Sequence, residues 1–284
     1  MFDRQKFQQI FQNQFPETAL SLDHYAVLDS TNTTARKLVE NNATLPLVVI
    51  ADRQTAGRGQ WGRQWQSDPG GLYLSLGMAT DGKIGILLTF GSGWGIATAL
   101  RQRGIPVQLK WPNDLILNGK KLGGIRTVTS YRVPVDAPPA PLFPAAYSPF
   151  PYAVIGVGIN WENQPPDPGI ALTECMSDRA AIPDLESLAA LTTGGILSGY
   201  RHYLQEGADA LLSSYWELAI AKERSVTVNG SPGTIVGITP RGELRIRLQS
   251  SGASTEIRCD PGAIALGYNI DEKIFSERSL HKKS

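Results

Sequence analysis

Between Ser21 and about Glu206, short apolar runs alternate with stretches of helical spacing, and the strand-like runs are in the majority. Residues 45–54 read as a buried strand entering a loop, and residues 71–78 as a second strand with period-two alternation. A helix is expected from Ile84 to Leu100, then a strand over residues 107–111. Asn118-Gly119 marks a tight turn between two further strands, because both residues tolerate left-handed backbone. Residues 152–161 supply another strand, and 185–220 have the Leu, Tyr and Trp spacing of one or two helices packed on the sheet. Hairpin-type turns join several of these strands. The class that follows is α+β, a mixed and mostly antiparallel sheet with flanking helices.

Two segments break this texture. Tyr131 to Pro151 is proline-rich and aperiodic, which predicts an extended, solvent-facing insertion without chemistry. After Lys222, turn pairs at Asn229-Gly230, Pro232-Gly233 and Arg241-Gly242 punctuate short β-rich runs. Five short strands there suggest a small SH3-like β-barrel. The expected division is a catalytic domain over residues 1–222 and the barrel over 223–272, with a frayed tail beyond.

Composition removes several functions. The chain has 284 residues, 42% of them hydrophobic, and a formal net charge of +1. That balance gives no argument for a nucleic-acid or membrane partner. The apolar run Ile84–Leu100 is shorter than the ~20 residues of a spanning helix. It also contains Gly85, Gly91, Gly93 and Gly95, so it reads as a core helix with close backbone approaches. The N-terminal stretch is polar and Gln-rich, with no secretory apolar region, which suggests a cytoplasmic protein. Cys175 and Cys259 lie far apart and read as small buried hydrophobes; His24, His202 and His281 are equally scattered. Little material remains for a zinc site or a Cys/His nucleophile pair.

Five motifs could carry chemistry. The densest is Gln54 to Trp65, where Gly57, Gly59 and Gly62 interleave with Arg58 and Arg63 straight after a buried strand. Glycines let backbone N–H groups approach an anion, and guanidiniums bind carboxylate or phosphate in fork geometry. The spelling matches neither the P-loop nor GxGxxG, and a flexible surface turn is the bland alternative. Lys110-Trp111-Pro112-Asn113-Asp114 ends a strand with oxygen ligands suited to Mg²⁺ or nucleotide hydroxyls, although Pro-Asn-Asp turns are common. In Lys120-Lys121-Leu122-Gly123-Gly124-Ile125, glycines inside a strand mark the close approach of a ligand or another backbone. Gly156-Val157-Gly158-Ile159-Asn160 repeats that feature, with an Asn at the strand mouth. Asp29-Ser30-Thr31-Asn32 reads first as a helix N-cap.

In order and spelling, these five motifs together resemble the biotin protein ligase family, and the resemblance continues into the small C-terminal β-region. It implies a catalytic domain related to lipoate ligases and class II tRNA synthetases. It further implies that biotin and ATP react to biotinyl-5′-AMP, and that biotin then passes to a lysine of the biotin carboxyl carrier protein of acetyl-CoA carboxylase. By matching positions, Ser30, Thr31, Asn32, Gln54, Gly57, Arg58, Gly59, Lys121, Gly123 and Gly124 would hold biotin. Arg63, Trp65, Lys110, Asn113, Asp114 and Asn160 would hold the nucleotide, and Asp114 the Mg²⁺. Lys121, Arg58 and Arg63 would stabilise the charge that develops during adenylation. No tightly bound prosthetic group is implied, and a homodimer through the catalytic sheet stays open.

The match is imperfect at two places. Many family members have a basic residue where this chain has Gln60, and many have an acidic one a few positions after the Gly-Ile strand, where this chain reads Arg126-Thr127-Val128-Thr129-Ser130. Only 28 residues precede Asp29, too few for the winged helix of the DNA-binding members, so no DNA binding is expected. Two rivals remain at this stage: a lipoate or octanoyl ligase of the same superfamily, and a biotin or nucleotide sensor without turnover.

Overall fold

The computed structural model describes residues 2–130, 151–228, 230–250, 253–262 and 266. The proline-rich insertion falls outside the described residues, apart from Pro151, as does most of the tail. The polar, Gln-rich N-terminal segment, for which no element is expected, forms helix α1, Arg4–Gln14. Asp3 caps it by accepting from the Lys6 N–H at 3.0 Å. Phe7 and Phe11, four residues apart, put one buried face on the remaining helices.

Strand β1 (Ser21–Leu28) leads through α2 (Thr31–Glu40) to β2 (Leu47–Gln54), and β1 and β2 pair in parallel. Antiparallel strands then build the sheet outward: β3 (Leu72–Ala79), β4 (Gln108–Lys110), β5 (Asp114–Leu117), β6 (Lys120–Ser130) and β7 (Tyr152–Ile159). The order is β1-β2-β3-β7-β6-β5-β4. The expected hairpin between β5 and β6 turns at Asn118 and Gly119, whose φ values are +51° and +71°. Helices α3 (Leu87–Arg101) and α4 (Leu185–Glu217) cover one face of the sheet. Gly207, with φ +84°, breaks α4 into the two helical pieces that the spacing allowed.

One detail departs from the pattern. Every residue of β3 is buried, although alternation predicts one solvated face. The strand is central, with α4 on one side and α2 on the other, so neither face meets water. Ala35, Leu45, Leu47, Val49 and Val154 form a small second core under α2.

The helix pair is joined through its backbones. A Cβ on Gly95 would overlap the Gly195 carbonyl, and one on Gly199 the Gly91 carbonyl. The close approach read from the glycines of this apolar run is therefore helix to helix. No helix among the described residues is long and apolar enough to cross a membrane.

Four strands form a second, antiparallel sheet: β8 (Ser225–Val228), β9 (Ser231–Ile238), β10 (Leu244–Ser250) and β11 (Ala253–Cys259), in the order β11-β10-β9-β8. The expected fifth strand, in the run that ends at Leu266, includes residues 263–265, which lie outside the described ones. Pro232-Gly233 does not break the chain as expected. Pro232 pairs with Thr227 of β8, one residue beyond the last β10 pair, so its missing N–H removes no bond to β10. Ile235, Leu244 and Ile246 join the same apolar core as the first sheet.

Gly95→Ala is expected to cost at least the ~1–3 kcal/mol typical of overpacking, because backbone rather than a mobile side chain must move. Urea denaturation would read this as a lower midpoint; an unchanged midpoint would mean that α3 and α4 do not meet at Gly95.

Candidate active site

The site is built on strand positions without side chains. In the β6–β7 register, Gly124 pairs with Gly158 and Arg126 with Gly156. A Cβ on Gly158 would lie 2.5 Å from the Trp65 indole, and one on Gly124 3.5 Å from the same ring. Trp65 therefore rests on the sheet where any larger residue would lift it. Gly156 makes similar room for the Asn32 amide, 3.1 Å away. Gly123 serves a different purpose: a Cβ there would lie 2.6 Å from the Gly158 carbonyl oxygen, so its absence lets that carbonyl pack close.

The glycine- and arginine-rich segment after β2, read from sequence as a flexible loop, is a paired hairpin. Trp65 N–H donates to the Gly57 carbonyl at 3.0 Å, and Gly59 N–H to the Arg63 carbonyl at 2.8 Å. It turns at Gln60–Gly62, with Trp61 and Gly62 both left-handed at φ +53° and +76°. Gly57 is buried behind the hairpin, where a Cβ would strike the Trp65 carbonyl and Ser67. Its role is to let the hairpin close. Arg58 and Arg63 stand exposed at the rim. At the tip, the Trp61 ring lies 3.1 Å from where a Gly262 Cβ would sit, so a segment after β11 touches the hairpin.

One end of the cavity is lined by hydroxyls and amides, with the Arg126 guanidinium beside them. Ser30 caps α2, as the plain reading of the DSTN cluster required. Thr31 donates to Gln54 Oε1 through its N–H at 2.8 Å and its hydroxyl at 3.2 Å. Gln54 Nε2 donates to Ser67 Oγ at 2.8 Å, and Ser75 Oγ to Thr31 Oγ1 at 2.9 Å. Arg126 donates to Asn32 Oδ1 at 2.8 Å, while Asn32 Nδ2 is buried with no partner in the protein. Burial, then the nearby Arg58 and Arg36, hold the Arg126 guanidinium below its usual pKa.

The other end is charged. Lys121 Nζ lies 2.7 Å from Asp114 Oδ1 and 5.4 Å from the centre of the Trp65 ring. Lys110, itself buried, reaches Asp114 Oδ2 at 3.9 Å. The Asn113 side chain donates to the Ile125 carbonyl at 3.0 Å, as Gln60 does at 3.2 Å, pinning both turn and hairpin to β6. Lys121 is fixed by its own backbone, donating to Pro168 at 2.9 Å and accepting from Ile170 at 3.0 Å. The Trp111 indole N–H donates to the Gly242 carbonyl at 2.9 Å, tying the turn to the second sheet.

Together these groups enclose a cavity of about 300 Å³. A second cavity of about 180 Å³ shares Gln64, Trp65 and Lys121 with it and is roofed by Pro165 to Gly169. The profile of the Biotin/lipoate A/B protein ligase family matches residues 25–137. The bifunctional ligase/repressor BirA of Bacillus subtilis is 31% identical over 242 residues, 78% of this chain and 68% of that protein.

The chain belongs to the biotin/lipoate A/B protein ligase family.

The biotin–[acetyl-CoA-carboxylase] ligase of Mycobacterium tuberculosis is 26% identical over 60% of each chain. In fold, the ligase resembles the biotin protein ligase from Aquifex aeolicus solved with biotin and ATP. The TM-score is 0.59 at 24% identity, over 84% of this chain and 99% of that one. Such relatives are enzymes, and so is this ligase.

Of the residues expected at the ligase's site, Ser30, Thr31, Asn32, Gln54, Arg58, Gly59, Arg63, Trp65, Lys110, Asn113, Asp114, Lys121 and Gly124 line the larger cavity. Gly57 and Gly123 do not; both are spent on packing backbone against backbone. Asn160 lines only the smaller cavity, where its amide donates to the Lys121 carbonyl at 3.3 Å. Sequence reasoning passed over Arg126, Trp111, Leu266 and the Pro165–Gly169 roof. Arg126 had a signal: it lies two residues after Gly124 on one strand and so shares its face.

Gly158→Ala should lower stability by about 1–3 kcal/mol through contact with Trp65. In a Trp65→Ala background that cost should shrink, since neighbours couple. Strictly additive losses in urea denaturation would mean that Trp65 does not rest on Gly158.

Proposed function

We propose that this ligase is an ATP-dependent biotin protein ligase, which forms biotinyl-5′-AMP and then transfers biotin to a carrier lysine. The observation that carries the reading is the shared position of Lys121 and Trp65 between two adjoining cavities, one for each substrate. The larger takes biotin, with Ser30, Thr31, Asn32 and Gln54 at the distal end and Gly59 and Gly124 along its walls. The smaller, between Trp65, Asn160 and the proline roof, takes part of ATP. Residues 1–222 would form the catalytic domain and 223–272 a second domain that completes its wall.

Adenylation brings two anions together. A carboxylate oxygen of biotin attacks the α-phosphorus, the bond to the bridging oxygen breaks, and pyrophosphate leaves. Among the described residues lining the larger cavity there are five cations, Arg58, Arg63, Lys110, Lys121 and Arg126, and one carboxylate, Asp114. That excess offsets the repulsion and stabilises the developing negative charge. Lys121 stands where both reacting groups meet; Arg58 and Arg63 at the rim face the phosphates.

The arrangement does not fit Mg²⁺ held by the protein, which the sequence placed on Asp114. Both oxygens of this carboxylate face lysine ammoniums, and the described residues contain no cluster of metal-binding side chains. Asp114 is arranged as the partner of Lys121.

In the second step the carrier lysine attacks the acyl carbon and AMP departs. Only about one lysine amine in 10³ is neutral at pH 7, so a group must take the proton as the amine attacks. Asp114, the one carboxylate among the described residues lining the larger cavity, is the candidate for it. The relative named for acetyl-CoA carboxylase supports the biotin carboxyl carrier protein as acceptor.

The test is exchange of pyrophosphate into ATP, run with biotin, lipoate and octanoate in turn. Exchange dependent on biotin is expected, and exchange with only lipoate or octanoate would move the protein to a lipoate-type activity. Tight biotin binding without exchange would make it a sensor. Lys121→Gln should reduce the exchange about 10²–10³-fold, the scale for removing one charge-stabilising donor.

A further inference from the structure

Resting on the adenylation reading, in which Arg63 faces the phosphates, we propose that Trp61 is a positioning residue for that arginine. It anchors the hairpin tip on the segment that follows β11 and holds the Arg63 guanidinium ready at the cavity rim.

The backbone singles out this tryptophan. Trp61 sits in the Gln60–Gly62 turn at φ +53° and ψ +37°, a left-handed conformation that suits Gly or Asn and is costly for a bulky side chain. The residue is 49% exposed, so burial in a core does not offset that cost. Two contacts of the ring act against it. A Cβ on Gly262 would lie 3.1 Å from both Cε2 and Nε1 of the indole, so the ring lies against bare backbone. Gly262 is itself at φ +91°, which glycine adopts readily. The Arg63 guanidinium carbon lies 5.9 Å from the ring centre, within reach of cation–π attraction. Trp61, Arg63 and Gly262 all line the larger cavity.

An aromatic partner for Arg63 has a chemical consequence. Backbone bonds to Gly59 and Gln60 fix the Arg63 main chain, but its side chain makes no hydrogen bond or ion pair among the described residues. A carboxylate in the place of the ring would hold the guanidinium more firmly, yet would occupy its N–H groups and cancel its charge. An indole orders the cation and leaves its donors to a phosphate. Ordering the side chain beforehand lowers the entropy cost of binding the nucleotide. Because the ring leans on Gly262, the segment after β11 takes part in placing a charge carried by the first sheet's hairpin.

Trp61→Leu keeps an apolar side chain and removes the π face. It should raise the KM for ATP in pyrophosphate exchange about 2- to 5-fold, the scale of an exposed cation–π pair, and leave the KM for biotin unchanged. Trp61→Phe should recover part of the loss. In an Arg63→Gln background, Trp61→Leu should add nothing further to the KM for ATP. An unchanged KM for ATP, an equal rise in both KM values, or full additivity with Arg63→Gln would mean that Trp61 does not place Arg63, and the proposal is wrong. An independent readout needs no turnover. In the NMR spectrum of the parent protein the Arg63 side-chain resonances should be shifted upfield by the indole ring current, and Trp61→Leu should remove that shift. Unshifted resonances in the parent would overturn the proposal even if the variants fail to fold. Absence of biotin-dependent exchange in the parent would be a failure of the adenylation reading, whereas the ring-current shift reports on the contact alone.

Discussion

The contact of the Trp65 indole with two bare strand positions organises the site. Once Gly124 and Gly158 let the ring down onto β6 and β7, the hairpin that carries Trp65 has to cross the sheet there. Its arginines are thereby held at the rim, and Lys121 lies beside the ring. The same ring separates one cavity from the other. A single apolar contact, made possible by the absence of two methyl groups, thus sets the positions of several charges.

Charge works in the opposite sense. Five cations around one carboxylate repel each other, and the fold must hold them against that repulsion. Backbone does most of the holding: Lys121 is paired with the proline segment on both its N–H and its carbonyl, and Arg63 sits inside the hairpin ladder. Asp114 supplies the local counter-charge between two lysines. Such a lining keeps more positive than negative charge, and it is suited to anionic ligands.

Much of this could be read from the sequence, for definite reasons. The Asn118-Gly119 turn and the glycine-rich apolar helix specify local geometry directly and appear as expected, whereas the alternation read in β3 does not give it a solvated face, because helices cover both sides. Motif spelling brought Lys121, Asp114, Arg58 and Trp65 to one place because each lies at the end of an element that the pattern locates. What stayed hidden depends on partners distant in sequence. Gly123 and Gly158 look alike as glycines in strands, yet one admits a carbonyl and the other an indole. The α1 helix escaped because its apolar signal is two phenylalanines in a polar run, and their burial depends on α4, some 180 residues away. Arg126 was legible only to a reader who carried the strand phase past Gly124.

The segment after the second sheet contributes Gly262 and Leu266 to the wall of the larger cavity, and the β9–β10 turn holds Trp111 through the Gly242 carbonyl. A growing chain on the ribosome can therefore complete the seven-stranded sheet and still lack an enclosed site. The reactive pocket is finished only when residues up to Leu266 have emerged. Until then a partly made polypeptide lacks part of the wall of the larger cavity.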